Sequence, residues 1–249
     1  MCACSNLFAW GPEGHSLVAR IAEAQLTPAA RERVANILGP GQTLASISSW
    51  ADEVRRSRPE TAPWHYIDIP IDQKHLNMTR DCPKGDCVIA EIERLEATLR
   101  DPSTPAPAQR EALMFLVHFI GDMHQPLHCS DNHDHGGNEV QVVFNGRTAR
   151  LHGVWDGMLL SRIGAADQLF PELSAESARH KKYRKGSVER WAEESHKAAQ
   201  KVVYGKLPAA SDGKPVELTA AYEAAADPLI KLQLEKAGAR LAAVLNTLQ

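Results

Sequence analysis

HFIGDMHQPLH, residues 118–128, sets three histidines and one aspartate among Phe, Ile, Met and Leu. Burying imidazole and carboxylate in apolar surroundings is costly unless something pairs with them. Either these groups pair with one another, or a metal ion holds them. His118 and Asp122 are four residues apart, so on a helix they stand one turn apart on one face. The preceding residues extend that helix. From about 108 to 123 the pattern is apolar nearly all round, as in a helix buried at the centre of a domain. Pro126 ends it and lets His128 return toward the same region. A central helix of this kind needs others packed around it.

The rest of the chain supplies them. EGHSLVARIAEAQL has helical spacing and stops at Pro28, and PAARERVANILG closes on Gly39, a common helix stop. TLASISSWADEVRRS reads as a third helix with Thr43 as its cap, and CVIAEIERLEATLRD as a fourth with Glu and Arg outward. DPSTPAPA is a Pro-rich connector. After the central helix the period changes: EVQVVFNGRTARL alternates like a strand pair, with Asn145-Gly146 as a strong hairpin turn. A helix resumes near GVWDGMLLSRI, and two more follow at about 188–204 and 218–248. No internal repeat or composition break marks a second domain. The expectation is a mainly α, single-domain helical fold with a short β-hairpin.

A chain of 249 residues can bury a sizeable core without a covalent staple, and 43% apolar with 24% charged residues is an ordinary globular balance. No run approaches the length of a membrane span. The net charge of −3 argues against nucleic-acid binding through a generally basic surface, but not against binding through held cations. Of five cysteines, Cys82 and Cys87 flank CPKGDC, a short loop that can close as a disulfide in an oxidising compartment. Two free loop thiols are the alternative. Cys129 reads as a lone buried thiol. Residues 1–9, MCACSNLFA, are small and apolar and read as the tail of a signal peptide, with a disordered terminus as the alternative.

Further ligand-type side chains sit beside aromatics: WGPEGH (Trp10, His15), SWADEVR (Asp52, Arg55), PWHYIDIP (His65, Tyr66, Asp68) and LHGVWD (His152, Asp156). Any one such histidine is more often a core residue bonded to a carbonyl. Taken in order, with HFIGDMHQPLH and GGN (Asn138), the set resembles the type I zinc nucleases and 3'-nucleotidases of fungi, plants and some bacteria. The resemblance runs from Trp10 to Asp156, and the last third of the chain adds no motif.

That resemblance implies a zinc nuclease domain over 10–249, a fold like that of the type I nucleases and zinc phospholipases C, and three zinc ions in one cleft. Asp52, His65, His118 and Asp122 would hold the first. Trp10, through its backbone amine and carbonyl, would hold a second with His15, and Asp122 would bridge the pair. His128, His152 and Asp156 would hold the third. A backbone amide nitrogen is a poor ligand and a free amine a good one, so the full role of Trp10 requires removal of residues 1–9. His124, His133 and His135 are not assigned as ligands, and SDNHDHGGN reads as a solvated polar loop.

The implied activity is hydrolysis of single-stranded DNA and RNA to 5'-nucleotides, with 3'-nucleotidase activity. A hydroxide between the paired zincs would attack phosphorus in line, and the third zinc would stabilise the departing 3'-oxygen. Asp52 would orient the hydroxide and Arg55 contact phosphoryl oxygens, against the alternative of a solvated helix arginine. Tyr66 would stack an unstacked base, Asp68 accept from a base edge, and Asn138 orient substrate or a metal-bound group. The implied setting is secreted or periplasmic, as a monomer with no membrane partner. The rival reading is a zinc phospholipase C-like phosphodiesterase. Weaker rivals are a helical phosphohydrolase using His133-Asp134 and a non-catalytic zinc-binding protein.

Overall fold

The computed structural model describes residues 10–210 and 213–248. The proposed leader, residues 1–9, lies outside the described residues. The helices follow one another as α1 (Pro12–Glu23), α2 (Pro28–Leu38), α3 (Leu44–Ile47), α4 (Trp50–Val54), α5 (Met78–Asp81), α6 (Val88–Arg100) and α7 (Ala106–Met123). A hairpin, β1 (Gln141–Phe144) and β2 (Arg147–Arg150), leads into α8 (Leu151–Gly153), which passes through a π turn (Val154–Met158) into α9 (Leu159–Ile163). α10 (Ala166–Arg179), α11 (Val188–Ala198), β3 (Val216–Glu217) and α12 (Ala220–Asn246) complete the chain.

α7 is the axis, as its composition demands. Every residue from 112 to 123 is buried, and α1, α2, α4, α6 and α12 all pack on it. α1 and α12 make the most extensive helix pair. Gly238 allows it, because a methyl there would collide with Ile21. Local signals set the ends. Thr27 Oγ1 accepts from Ala30 N, and Thr43 Oγ1 accepts from Ser46 N while Ser46 Oγ takes Thr43 N. Gly39 closes α2 at φ 82°, a left-handed angle that favours glycine. Asn145 and Gly146 take φ 50° and 72°, as a two-residue hairpin turn requires.

Three features depart from the sequence reading. The single third helix is two short ones, broken at Ser48–Ser49, which frees Ser48 O for a partner elsewhere. α10 was not expected, and Pro171 lies inside it on an exposed face, while Gly164 ends α9. The hairpin gains a third strand, β3, parallel to β1 through Val142 and Val216, too short to leave a pattern. Cys82 and Cys87 form a disulfide, and Cys129 is buried and free.

Candidate metal centre

The site is assembled where α7, the loop after it, α1, α4 and the α8–α9 helix meet. Three groups of side chains each bring ligand atoms within 4.8 Å of one another: Asp52, His65 and His118; His15, His118 and Asp122; and His128, His152 and Asp156. All eight side chains are buried. His118 belongs to two groups, and its ring stacks on that of His15 at 3.9 Å. Asp122 faces both: Oδ1 lies 3.3 Å from Nε2 of His15 and of His118, and Oδ2 lies 2.8 Å from His65 Nδ1. Asp52 is 3.6 Å from His118 Nε2 and 4.0 Å from His65 Nδ1.

Backbone carbonyls orient the rings. His118 Nδ1 donates to Ser48 O at 2.7 Å, His128 Nδ1 to His65 O at 2.9 Å and His152 Nδ1 to Gly136 O at 2.6 Å. A carbonyl only accepts, so each Nδ1 carries the proton and each neutral ring turns a bare Nε2 inward. The Nε2 atoms of His128 and His152 then face each other at 3.1 Å. Two lone pairs at that distance repel unless a cation takes both.

The other two groups, which share His118, give the same result. His15 Nε2, His65 Nε2, His118 Nε2, Asp52 Oδ1 and Asp122 Oδ1 are buried without a hydrogen-bond partner. Orphaned polar atoms are expensive in a protein interior, and His15 Nε2 and His118 Nε2, each 3.3 Å from the orphaned Asp122 Oδ1, are a cradle for a cation. Imidazole nitrogen with carboxylate oxygen is a donor set that zinc favours.

Electrostatics agree. Burial holds the His118 imidazole well below its ordinary range, lowers His152 and brings His128 down to about 3, so all three are neutral lone-pair donors at neutral pH. Burial and then the neighbouring Asp122 push the Asp52 carboxyl up to about 7. Burial also raises Asp156 well above the usual range, against the opposing pull of Gln125, whose Nε2 donates to Asp156 Oδ1 at 2.7 Å. For Asp122 burial acts upward too, but His118, His15 and His65 outweigh it and hold the carboxyl well below the normal value. Buried acids that repel one another in this way are relieved by bound cations.

Trp10 is buried, and Gly11 N donates to Asp156 O at 2.6 Å, which fixes the start of α1 beside the third group. Arg55 follows α4 and is half-buried, and its charge bears on Asp52, His152, Asp156 and Tyr66. Tyr66 is the one large hydrophobic side chain left exposed among the described residues, at 39%. Asp68 is exposed beside it, and its carboxyl is pushed up to about 6 by partial burial and by Asp131 and Asp134.

Asn138 Nδ2 donates to His135 O at 2.7 Å, so that amide shapes its own loop. The weight of the GGN motif falls on Gly136, whose carbonyl orients His152. Gly136 has φ 61°, and a Cβ there would meet Leu127 O at 2.8 Å. His124 is buried with Nδ1 on Ile120 O and Nε2 against Arg240, while His133 and His135 are exposed, so none of the three joins a group. Gln125, Ser48 and Gly136 are the supporting residues that motif reading missed. Gln125 alone left a signal, a neutral amide inside a buried apolar run.

The family model for S1/P1 nuclease matches residues 10–249. The chain is 31% identical to Endonuclease 2 of Arabidopsis thaliana, an alignment covering 98% of this chain and 92% of that protein. It is 40% identical to Nuclease P1 of Penicillium citrinum over 59% of this chain and 57% of that protein. With Nuclease S1 of Aspergillus oryzae it shares 35% identity over 60% of this chain and 54% of that one.

Proposed function

The chain belongs to the S1/P1 nuclease family and is an endonuclease, and from that premise we propose that it is a three-zinc enzyme cleaving single-stranded DNA and RNA to 5'-nucleotides. We include 3'-nucleotidase activity in the same cleft. The observation that carries the reading is the convergence of buried, unpartnered nitrogen and oxygen atoms on two groups that share His118, together with a third buried group of His128, His152 and Asp156.

Asp52, His65, His118 and Asp122 would hold one zinc, His15 and Asp122 with the Trp10 backbone a second, and His128, His152 and Asp156 the third. When bound, the ions supply a water nucleophile at neutral pH and positive charge for the departing oxygen. The remaining work falls to protein groups. Tyr66 offers its exposed ring to an unstacked base, which a duplex cannot present without opening. Asp68 accepts from a base edge. Arg55 places its positive charge against phosphoryl oxygens, and Asn138 holds the loop that carries Gly136. Asp52, a carboxylate beside the first zinc position, is suited to orient the attacking water.

Three dications would turn a cleft rich in carboxylates positive, which reconciles an acidic chain with a polyanionic substrate. The Cys82–Cys87 disulfide supports a secreted or periplasmic setting. No helix among the described residues is long and apolar enough to cross a membrane. A monomer suits a surface on which Tyr66 alone, among the described residues, exposes a large apolar side chain.

The test is zinc analysis of the purified chain together with product analysis on single-stranded DNA. The expected result is three zinc ions per chain and 5'-phosphorylated products, abolished by chelation and restored by zinc. Hydrolysis of phosphatidylcholine micelles without release of nucleotides would replace this reading with the phospholipase one.

A further inference from the structure

The most positive stretch of the chain takes no part in the metal centre. ARHKKYRKGSVER, residues 178–190, holds six of the 28 Lys and Arg but one of the 31 Asp and Glu. It joins α10 to α11 through the short helical turn Lys181–Arg184. In a chain of net charge −3 this is a local field and not the general character of the surface.

With α11 and α12 the segment walls a bay of about 670 Å3, lined by Lys182, Lys185, Arg190, Lys236 and Arg240, with Glu194 as the carboxylate. Glu194 is already engaged, by Arg240 Nη2 at 2.6 Å and Lys236 Nζ at 3.0 Å. The floor is rigid. The Arg240 side chain is buried, with Nε donating to Tyr183 O at 3.1 Å, Nη1 to His124 Nε2 at 2.8 Å and its guanidinium over the Trp191 ring. Lys182 and Lys185 at the rim are exposed and have no ion pair or side-chain hydrogen bond among the described residues. Two free ammonium groups above a fixed cationic floor are suited to phosphate.

The bay lies within reach of the cleft. Arg190 also lines an adjoining hollow with Leu76, Met78, Ser187, Glu189 and Glu193. Leu76 N donates to Glu193 Oε1 there at 3.2 Å. Tyr66 precedes Leu76 by ten residues, so at most about 35 Å separates them, a span that a few extended nucleotides cover.

We propose that this bay is an exosite for the sugar-phosphate backbone of a long single strand whose scissile bond lies in the metal cleft. The proposal rests on the nuclease reading above. The bay is concave and rimmed by cations, and among the described residues no exposed large apolar side chain lies beside it to enter a lipid surface. Recognition would be independent of base sequence and sensitive to salt.

The test uses the zinc-loaded double variant Lys182→Glu/Lys185→Glu, two exposed positions outside the cleft. kcat/KM is measured on a single strand of about 40 nucleotides and on a dinucleotide, across a range of salt. The expected result is a loss of about tenfold on the long strand at low salt, no change on the dinucleotide, and a salt slope shallower by about 1.4 for two lost phosphate contacts. Equal change on both substrates, or none on either, overturns the proposal. Anisotropy with a phosphorodithioate strand, charged but resistant to cleavage, reads the bay without catalysis. Binding that weakens in the variant supports the exosite even if the wild type cleaves neither substrate, an outcome that would tell against the nuclease reading instead. Unchanged strand binding with lost binding to phosphatidylglycerol vesicles would make the bay a membrane contact and overturn the proposal.

Discussion

Asp122 Oδ1 lies 3.3 Å from His118 Nε2, one turn back on α7, and the other His118 ring nitrogen is committed to Ser48 O. The same carboxylate faces His15 through Oδ1 and His65 through Oδ2. One side chain therefore serves two ligand groups. Asp122→Ala is expected to remove two of the three zinc ions by metal analysis, while the His128, His152 and Asp156 group keeps its own. Nuclease activity should fall at least about 100-fold, since even supporting groups of a metal site are worth 10–100-fold. Full zinc retention would refute the shared placement.

Gly121 is the counterpart of that arrangement. It sits in the last turn of α7, still inside the helix, where alanine is the better helix former. A Cβ at this position would meet His15 Nδ1 at 2.7 Å, and the His15 ring is already stacked on His118. Gly121→Ala should therefore keep its helical circular dichroism and still displace His15. The expected outcome is loss of one zinc ion, with activity falling about 10–100-fold. A variant with three zinc ions and normal turnover would show that the ring has room to move.

The start of α1 makes a separate demand. Gly11 N is held by Asp156 O, and Trp10 is buried. Protein beginning at Trp10 offers a free amine where the longer chain offers a poor amide ligand. Chelator competition on the two forms should show one zinc ion held about 10–100-fold more tightly when residues 1–9 are absent. Equal affinities would remove the Trp10 backbone from the ligand set.

Much of this centre was legible because ligand chemistry is carried by residue type and spacing. His118 and Asp122, like His152 and Asp156, are four apart, and the apolar run around the first pair places it on a buried helix. The orienting groups were not legible. Ser48 and Gly136 act through carbonyls, which every residue has, and their role depends on a helix break and a left-handed glycine. α10 was hidden by Pro171, tolerated in a helix interior where periodicity reading expects an end. Arg240 reaches His124 across 116 residues, a pairing visible only once α12 packs beside α7.

Glu235 gives a pH dependence outside the metal centre. It lies on α12 facing Glu172 and Glu176 of α10, and the cation that opposes them, Lys231, is engaged by Glu172. Burial first, and then these two acids, push its carboxyl from 4.5 up to about 7. Between those values the folded chain holds a proton that the unfolded chain has released. Stability therefore falls as pH rises from about 4.5 through about 7, and the full penalty applies above that window. Glu235→Gln keeps the shape and cannot ionise. Allowing for solvent screening, it should stabilise the protein by about 1–2 kcal/mol at pH 8 and by much less at pH 5. Urea midpoints of variant and parent at the two pH values measure the difference, and any loss of metal in acid affects both proteins alike. An equal shift at both pH values would assign the effect to packing, because only a titrating carboxylate makes the gain depend on pH.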